Sequence, residues 1–464
     1  MSSLLRLAGS FRDPAGFVFE RDGVLLRQVN RSFADTYDAV VASGLYDELH
    51  RQGLLVAHTE VDPGLGTQDA HRVLQPERLP MLSHPFEWSP GQLRAAALLT
   101  LQVMRVAMKH DMVLRDASAY NVQFRHGRAV FIDTLSFGPL PEGKPWVAYG
   151  QFCEQFLAPL ALQTMVDPRM GRLLVADVGG VPLDLAATLL PWKTRLRPGL
   201  AMHVHAHARA RTTVGEVDGD KPARQATFSR QALAGLVEGL SSLVSKLTWE
   251  PRGTTWVNYY EEAGHYEDAA MAAKVALVEQ AVVDLAPSTV WDLGANTGRF
   301  AHIAASHGAD VVAWDIDHGA VERGWRQICE QPPRTGDVLP LVLDLANPSP
   351  AIGWGHRERP SLADRGPVDV VFALALVHHL AIGNNVPLSS VAAELARLGR
   401  HVLLEWVPPD DPKVKVLKAT REDVFDHYTT DGFEAAIGPS FEVERRDPLP
   451  DSGRVLYRLR SRVE

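Results

Sequence analysis

The chain has few cysteines, no long apolar runs, no excess of basic charge, and no lysine before position 109. Its two cysteines, Cys153 and Cys329, stand far apart among 464 residues. That excludes a disulfide framework and a cysteine-based zinc centre, and it fits a reducing compartment. No window approaches the roughly 18 uninterrupted apolar residues of a membrane span. The run within Met1 to Ser10 is too short for a secretory signal. A cytoplasmic protein without a membrane partner is therefore expected. Lys and Arg number 47 against 56 Asp and Glu, a net charge of −9. No general attraction to nucleic acid follows from that balance, and no DNA partner is expected. What remains, 46% hydrophobic and 22% charged residues, is the composition of a globular protein long enough for two or three domains.

The most informative stretch is Val290-Trp-Asp-Leu-Gly-Ala-Asn-Thr-Gly-Arg-Phe300, followed by an apolar run from Gly308 that stops on Asp315. An apolar run, a glycine turn, a helix-like segment and a second apolar run read as strand, turn, helix and strand. Glycines let backbone approach a ligand closely, and a helix start supplies unpaired N–H groups. A carboxylate at the tip of the second strand suits the two hydroxyls of a ribose. A dinucleotide fingerprint needs glycine where Asn296 stands, and glycine or alanine where Arg299 stands, so that match fails twice.

Asp292-x-Gly294-x-x-x-Gly298 instead resembles the first motif of class I S-adenosylmethionine (SAM) methyltransferases. The resemblance implies an α/β, Rossmann-like seven-stranded sheet with one antiparallel strand near its end. It implies that Asp292, Gly294, Ala295, Asn296 and Gly298 line the methionine part of SAM. Asp315 with Ile316 would take the ribose, Asp344 with Leu345 the adenine, and Ala373 would lie beside them at the fourth strand. Past that strand, His378-His379-Leu380 is similar to the Leu-His-His segment of many small-molecule and some RNA methyltransferases. An oxygen acceptor must lose a proton, which a histidine of near-neutral pKa can take. His378 and His379 are the candidates, with Glu405 on the next strand as second choice. No Asn-Pro-Pro-Tyr motif follows the fourth strand, which argues against DNA and protein amide-nitrogen methylation. Tyr, His and Glu between Thr255 and Glu267 are candidates for a lid or for packing, and Lys274 reads as solvated.

The first half carries a second pattern. Asp-Gly at 22–23 between apolar runs signals a hairpin, residues 91–109 a buried helix, and 54–90 a stretch broken by Gly and Pro. Asp116-x-x-x-x-Asn121, a hairpin about His126-Gly127, and Asp133 resemble the catalytic and metal loops of protein-kinase-like phosphotransferases. That resemblance implies an α+β domain in which Asp116 orients a hydroxyl, while Asn121 and Asp133 are metal-ligand candidates. Two departures stand against phosphoryl transfer: no glycine-rich lid precedes these loops, and Arg27 is the nearest substitute for the absent lysine. His203, His205 and His207, at a period of two, would share one face of a strand.

Glu250-Pro-Arg-Gly253 marks the boundary between a domain over 1–250 and one over 251–464. As a whole, the chain resembles bacterial nodulation-type SAM methyltransferases. Three functions stay open. One is a SAM methyltransferase whose first domain presents a small-molecule acceptor, the second a bifunctional phosphotransferase, and the third a non-catalytic SAM sensor. The acceptor and the oligomeric state are not fixed by the residues.

Overall fold

A computed structural model of the chain describes residues 4–209, 228–251, 266–419 and 427–463. It divides into two compact units: 1–249 with 351–359, and 250–350 with 360–464. The short segment 351–359 thus leaves the second stretch of sequence and folds with the first.

The first unit is built on a sheet of β1 (Leu5–Arg6), β2 (Gly16–Arg21), β3 (Val24–Asn30), β4 (His58–Val61) and β5 (Ala70–Pro76). Their order is β1-β2-β3-β5-β4, and every pairing is antiparallel. Asp22 and Gly23 turn the β2–β3 hairpin at φ 53° and 77°, the left-handed values that such a two-residue turn requires. The helix Pro90–Lys109 starts at a capping box: Ser89 Oγ accepts from the Gln92 N–H, and Gln92 accepts the Ser89 N–H in return. It leads into β6 (Met112–Leu114), then the hairpin of β7 (Val122–Arg125) and β8 (Arg128–Phe131), then β9 (Phe137–Pro139), which pairs back onto β6. In the returning segment, Glu358 is almost fully buried and accepts from both Nε and Nη2 of Arg12 at 2.7 and 2.8 Å.

The second unit holds β10 (Thr289–Leu293), β11 (Asp310–Asp315), β12 (Asp337–Val342), β13 (Val368–Ala373), β14 (Gly399–Trp406), β15 (Phe441–Pro448) and β16 (Val455–Ser461). The sheet runs β12-β11-β10-β13-β14-β16-β15. β16, the last strand in the chain, pairs antiparallel with both neighbours, while the first five strands are parallel. Parallel strands need both faces covered, so their runs are apolar throughout. β11 and β12 fit this: only Asp310 in the two strands is even partly exposed. Val290, Val311, Ala313 and Phe372 pack with Phe300, Ala301 and Ala304 of the helix Arg299–Ser306 and with Val278 and Val282 of the helix Tyr266–Leu285 in one core.

Strand order reverses between β10 and β13, because chain order runs outward to β12 on one side and to β14 on the other. In open α/β sheets that switch point, at the carboxyl ends of the strands, is where ligands bind.

Candidate functional site

At the switch point β10 gives way to a turn with three left-handed residues: Gly294 at φ 77°, Asn296 at 54° and Gly298 at 89°. At 294 and 298 only glycine takes such angles without strain, and Gly298 is also the N-cap of the helix Arg299–Ser306. Asn296 is held by its neighbour strand. Its N–H donates to Asp315 Oδ2 at 2.7 Å, while the Asp317 N–H donates to Asp315 Oδ1 at 2.8 Å. Asp315 therefore fixes the turn and the end of β11 together. Each of its oxygens keeps a further acceptor site.

Asp292 is the most unusual group of the site. It is 1% exposed, and its Oδ2 has no hydrogen-bond partner. Burial pushes its carboxyl up to about 7; Lys274 opposes that rise and Asp315 adds to it. Burial likewise raises Asp315 to about 6, against the backbone N–H groups of Asp317, Asn296 and Ile316. An orphaned buried carboxylate oxygen beside an open glycine turn is an acceptor without a donor, and such a group calls for an explanation.

The remaining sequence-named residues fall around this turn. Ala295 and Ala373 are buried. Ile316 is 59% exposed directly after Asp315. Asp344 lies two residues past β12 and caps the following turn, accepting from the Ala346 N–H at 3.0 Å, with Leu345 half-buried beside it. His378 and His379 sit in the short helix Val377–Ala381, ring centroids 4.1 Å apart. The fourth strand itself stops at Ala373, before both histidines. His378 is buried and its Nδ1 has no partner; burial, then the charges of His379 and Arg454, push it down to about 3. Burial also lowers His379, which remains half-buried.

Glu405, at the end of β14, is 1% exposed between two cations. Lys274 Nζ lies 2.5 Å from its Oε2 and Arg454 Nη1 3.0 Å from its Oε1. Burial alone would raise this carboxyl; the two cations outweigh it and hold it below the usual range. Lys274 is correspondingly not solvated, as its helix position suggests, but 7% exposed. Glu405→Ala would leave two buried cations short of a partner. We expect it to lower the unfolding free energy of this unit by ~3–5 kcal/mol, measured by urea titration; a loss under about 1 kcal/mol would contradict the burial described.

In the first unit, Asp116 Oδ1 accepts from the Ser118 N–H at 2.9 Å and from Gln151 Nε2 at 2.7 Å. Burial, then the charge of Asp133, raise the Asp116 carboxyl above its usual range, against hydrogen bonds from Gln151, Ser118 and Asn121. Asp133 accepts from Ser136 and is paired by Arg27 Nη2 at 2.5 Å. The three residues do come together, and Arg27 already supplies a cation there. Among the described residues no group of three or more His, Cys, Asp or Glu is arranged to hold a metal ion. His203 and His205 lie in a π-helical stretch, Ala201–Ala206, and not on a strand. His203 Nδ1 is 2.7 Å from Tyr149 Oη, and His205 Nε2 is 2.8 Å from Thr194 Oγ1. The aromatic cluster over 255–265, the Gly-rich stretch 214–222, which the sequence marks as a loop, and the first residues of 421–436, which it marks as a helix, lie outside the described residues. No helix among the described residues is long and apolar enough to cross a membrane.

The chain is 35% identical over 461 residues to nodulation protein NoeA of Rhizobium meliloti (strain 1021), covering 97% of this chain and 95% of that protein. No protein-family model matches. Solved structures that overlap it include magnesium protoporphyrin IX methyltransferase (ChlM) from Synechocystis PCC 6803 with bound SAH, at 19% identity and TM-score 0.32, over 43% of this chain and 89% of that one. The N-methyltransferase NodS from Bradyrhizobium japonicum WM9 overlaps at 12% identity and TM-score 0.31, over 42% and 97%. The strand order and turn geometry stand independently of these overlaps.

Proposed function

We propose that this chain, which belongs to the family of nodulation protein NoeA, is a SAM-dependent methyltransferase acting on a small-molecule acceptor. The observation that carries the reading is Asp292: a fully buried carboxylate with a free oxygen, set against a left-handed glycine turn at the switch point of the sheet. The residues present fit SAM. Asp292 Oδ2 would accept from its α-ammonium, Asp315 from the ribose hydroxyls, and Asp344 from the adenine amine, with Ile316 and Leu345 as apolar walls. SAM, when bound, supplies an electrophilic methyl group on a sulfonium.

The chain's own part is alignment and proton handling. Proximity and orientation lower such a barrier most, and the residues of the 292–298 turn are placed to hold one reactant still. His379 is the proposed proton acceptor for an oxygen nucleophile. His378, held neutral at about 3, is too weak a base at neutral pH and serves as a fixed neutral neighbour. Glu405 is an anchor for Lys274 and Arg454, which leaves it ill suited to move protons. In the first unit, Arg27 pairs with Asp133 at 2.5 Å, which favours an acceptor-presenting role over phosphoryl transfer.

Amide hydrogen exchange tests this assignment. Adding SAM should slow exchange in peptides covering 292–298 and 314–317. Protection confined to 116–137, or appearing only with ATP and Mg²⁺, would contradict it.

A further inference from the structure

In the first unit the charge balance of the chain is locally reversed. No Asp or Glu stands between Asp184 and Glu216, while Lys193, Arg195, Arg197, Arg209 and Arg211 do. A chain of net charge −9 thus carries a block of the opposite sign. At its centre is the 3₁₀ turn Trp192–Leu196, set between Pro191 and the short helix Pro198–Leu200. Thr194 is the buried residue of that turn. Its Oγ1 donates to the Pro191 carbonyl at 2.7 Å and lies 2.8 Å from His205 Nε2. With Thr194 tied inward, its neighbours project outward. Trp192 is 67% and Leu196 72% exposed, and Lys193, Arg195 and Arg197 are exposed beside them. None of these three cations has an ion pair or a side-chain hydrogen bond among the described residues.

The apolar surface continues on the preceding helix, Leu183–Leu189. There Leu183 and Ala186 are buried, while Leu185 and Leu189, four positions apart, are exposed. That helix and the turn both pack on the stretch Ala201–Ala206. Single exposed apolar residues are ordinary; a tryptophan and leucines set among unpaired cations ask for a partner. Withdrawing Trp192 and Leu196 from water is favourable, but withdrawing three cations with them is costly unless negative charge meets them. The partner therefore needs apolar depth and a dense anionic rim. An anionic lipid surface has both, with tryptophan at headgroup level and Lys and Arg against the charged headgroups. A single-stranded nucleic acid supplies the charge, yet it stacks on aromatic rings and leaves the exposed leucines unmatched. Docking of this kind needs no spanning run, whose absence is what argues against a membrane partner.

We propose that the turn Trp192–Leu196, together with Arg197, is a docking surface for an anionic lipid bilayer. Trp192 and Leu196 enter the headgroup layer, and Lys193, Arg195 and Arg197 pair with anionic headgroups. The docking is peripheral and salt-sensitive, because exposed charges are screened over about 8 Å at physiological ionic strength.

Flotation of the full chain tests this, with vesicles of equal parts phosphatidylglycerol and phosphatidylcholine set against phosphatidylcholine alone. The wild type should bind the anionic vesicles about 100-fold more tightly than the neutral ones, from roughly fivefold per cation. About 1 M salt should release it. Lys193→Gln/Arg195→Gln/Arg197→Gln should lose about that same factor. Trp192→Ser/Leu196→Ser, with every charge intact, should lose about tenfold or more. All five side chains are exposed, so both variants should keep the wild-type urea midpoint. Amide hydrogen exchange in the wild type is a second readout that needs no variant: anionic vesicles should protect the peptide over 190–198.

A wild type that stays unbound to anionic vesicles, affinity unmoved in either variant, or protection that falls outside 190–198 overturns the proposal. So does a wild type that ignores the vesicles and binds a single-stranded oligonucleotide through the same cations.

Discussion

Asp292→Asn is expected to make the empty protein more stable and its binding of SAM weaker. The Asp292 carboxyl has its pKa raised from 3.8 to about 7 by burial. In the unfolded chain it therefore ionises near 3.8, and in the folded chain only near 7. Below about pH 4 both states hold the proton, and the burial of Asp292 carries no ionisation cost. As pH rises through that window the unfolded chain sheds its proton first, so stability is lost progressively, and the full cost is present above 7. Asparagine cannot ionise and removes the cost. At ~1.4 kcal/mol per pKa unit the variant should gain ~2–4 kcal/mol over the wild type at about pH 8 and nothing at about pH 4. Urea unfolding at the two pH values measures the difference. In the same variant the charge-assisted acceptor is gone, and SAM affinity should drop ~10–100-fold. A variant that binds SAM as the wild type does, or is no more stable at pH 8 than at pH 4 relative to it, would remove Asp292 from the site.

Asp315→Ala is the larger loss. This carboxylate accepts from the Asn296 and Asp317 N–H groups at 2.7 and 2.8 Å, so it sets the turn that would receive the methionine end and offers its remaining lone pairs to the ribose. Alanine removes both at once. SAM affinity should fall by about three orders of magnitude or beyond detection, from two hydrogen bonds to a charged group at ~1.5–3 kcal/mol each plus a loosened turn. Asp315→Asn keeps one acceptor oxygen and should lose only ~10–100-fold. Calorimetry on the two variants separates these roles: equal losses would mean that the charge alone matters, and no loss in either would place the ligand elsewhere.

The glycine turn was legible in the sequence because its signals are local. Asp292, Gly294, Gly298 and Asp315 sit within one strand–turn–helix–strand unit, and the positive φ angles at 294 and 298 are demands that only glycine meets cheaply. The Asp22-Gly23 hairpin and the helix Pro90–Lys109 were readable for the same reason. Lys274 was not. Nothing near it in sequence marks it as buried, because its partner Glu405 arrives from β14. β4 and β5 were hidden in the Gly- and Pro-broken stretch 54–90; β4 is an edge strand with no buried residue, so no apolar alternation announces it. The period-two histidines mimic a strand, yet His203 and His205 wind through a π-helical stretch and bond separately to Tyr149 and Thr194. Segment 351–359 joins the first unit through contacts such as Arg12 with Glu358, a pairing that periodicity cannot foresee.

In the first unit, sequence similarity to phosphotransferase loops brought Asp116, Asn121 and Asp133 into view, and the structure does gather them. It also places Arg27 on Asp133, from β3. A guanidinium is permanently charged, so Asp133 has a cationic partner from within the unit itself.

The measurement that bears most directly on the central claim is calorimetric titration of the purified chain with SAM, S-adenosylhomocysteine, and ATP with Mg²⁺. The account predicts one site per chain, micromolar or tighter, for SAM and S-adenosylhomocysteine, lost in Asp315→Ala, and no heat with ATP. Silence toward SAM together with Mg²⁺-dependent ATP binding would contradict it and move the chemistry to Asp116 and Asp133.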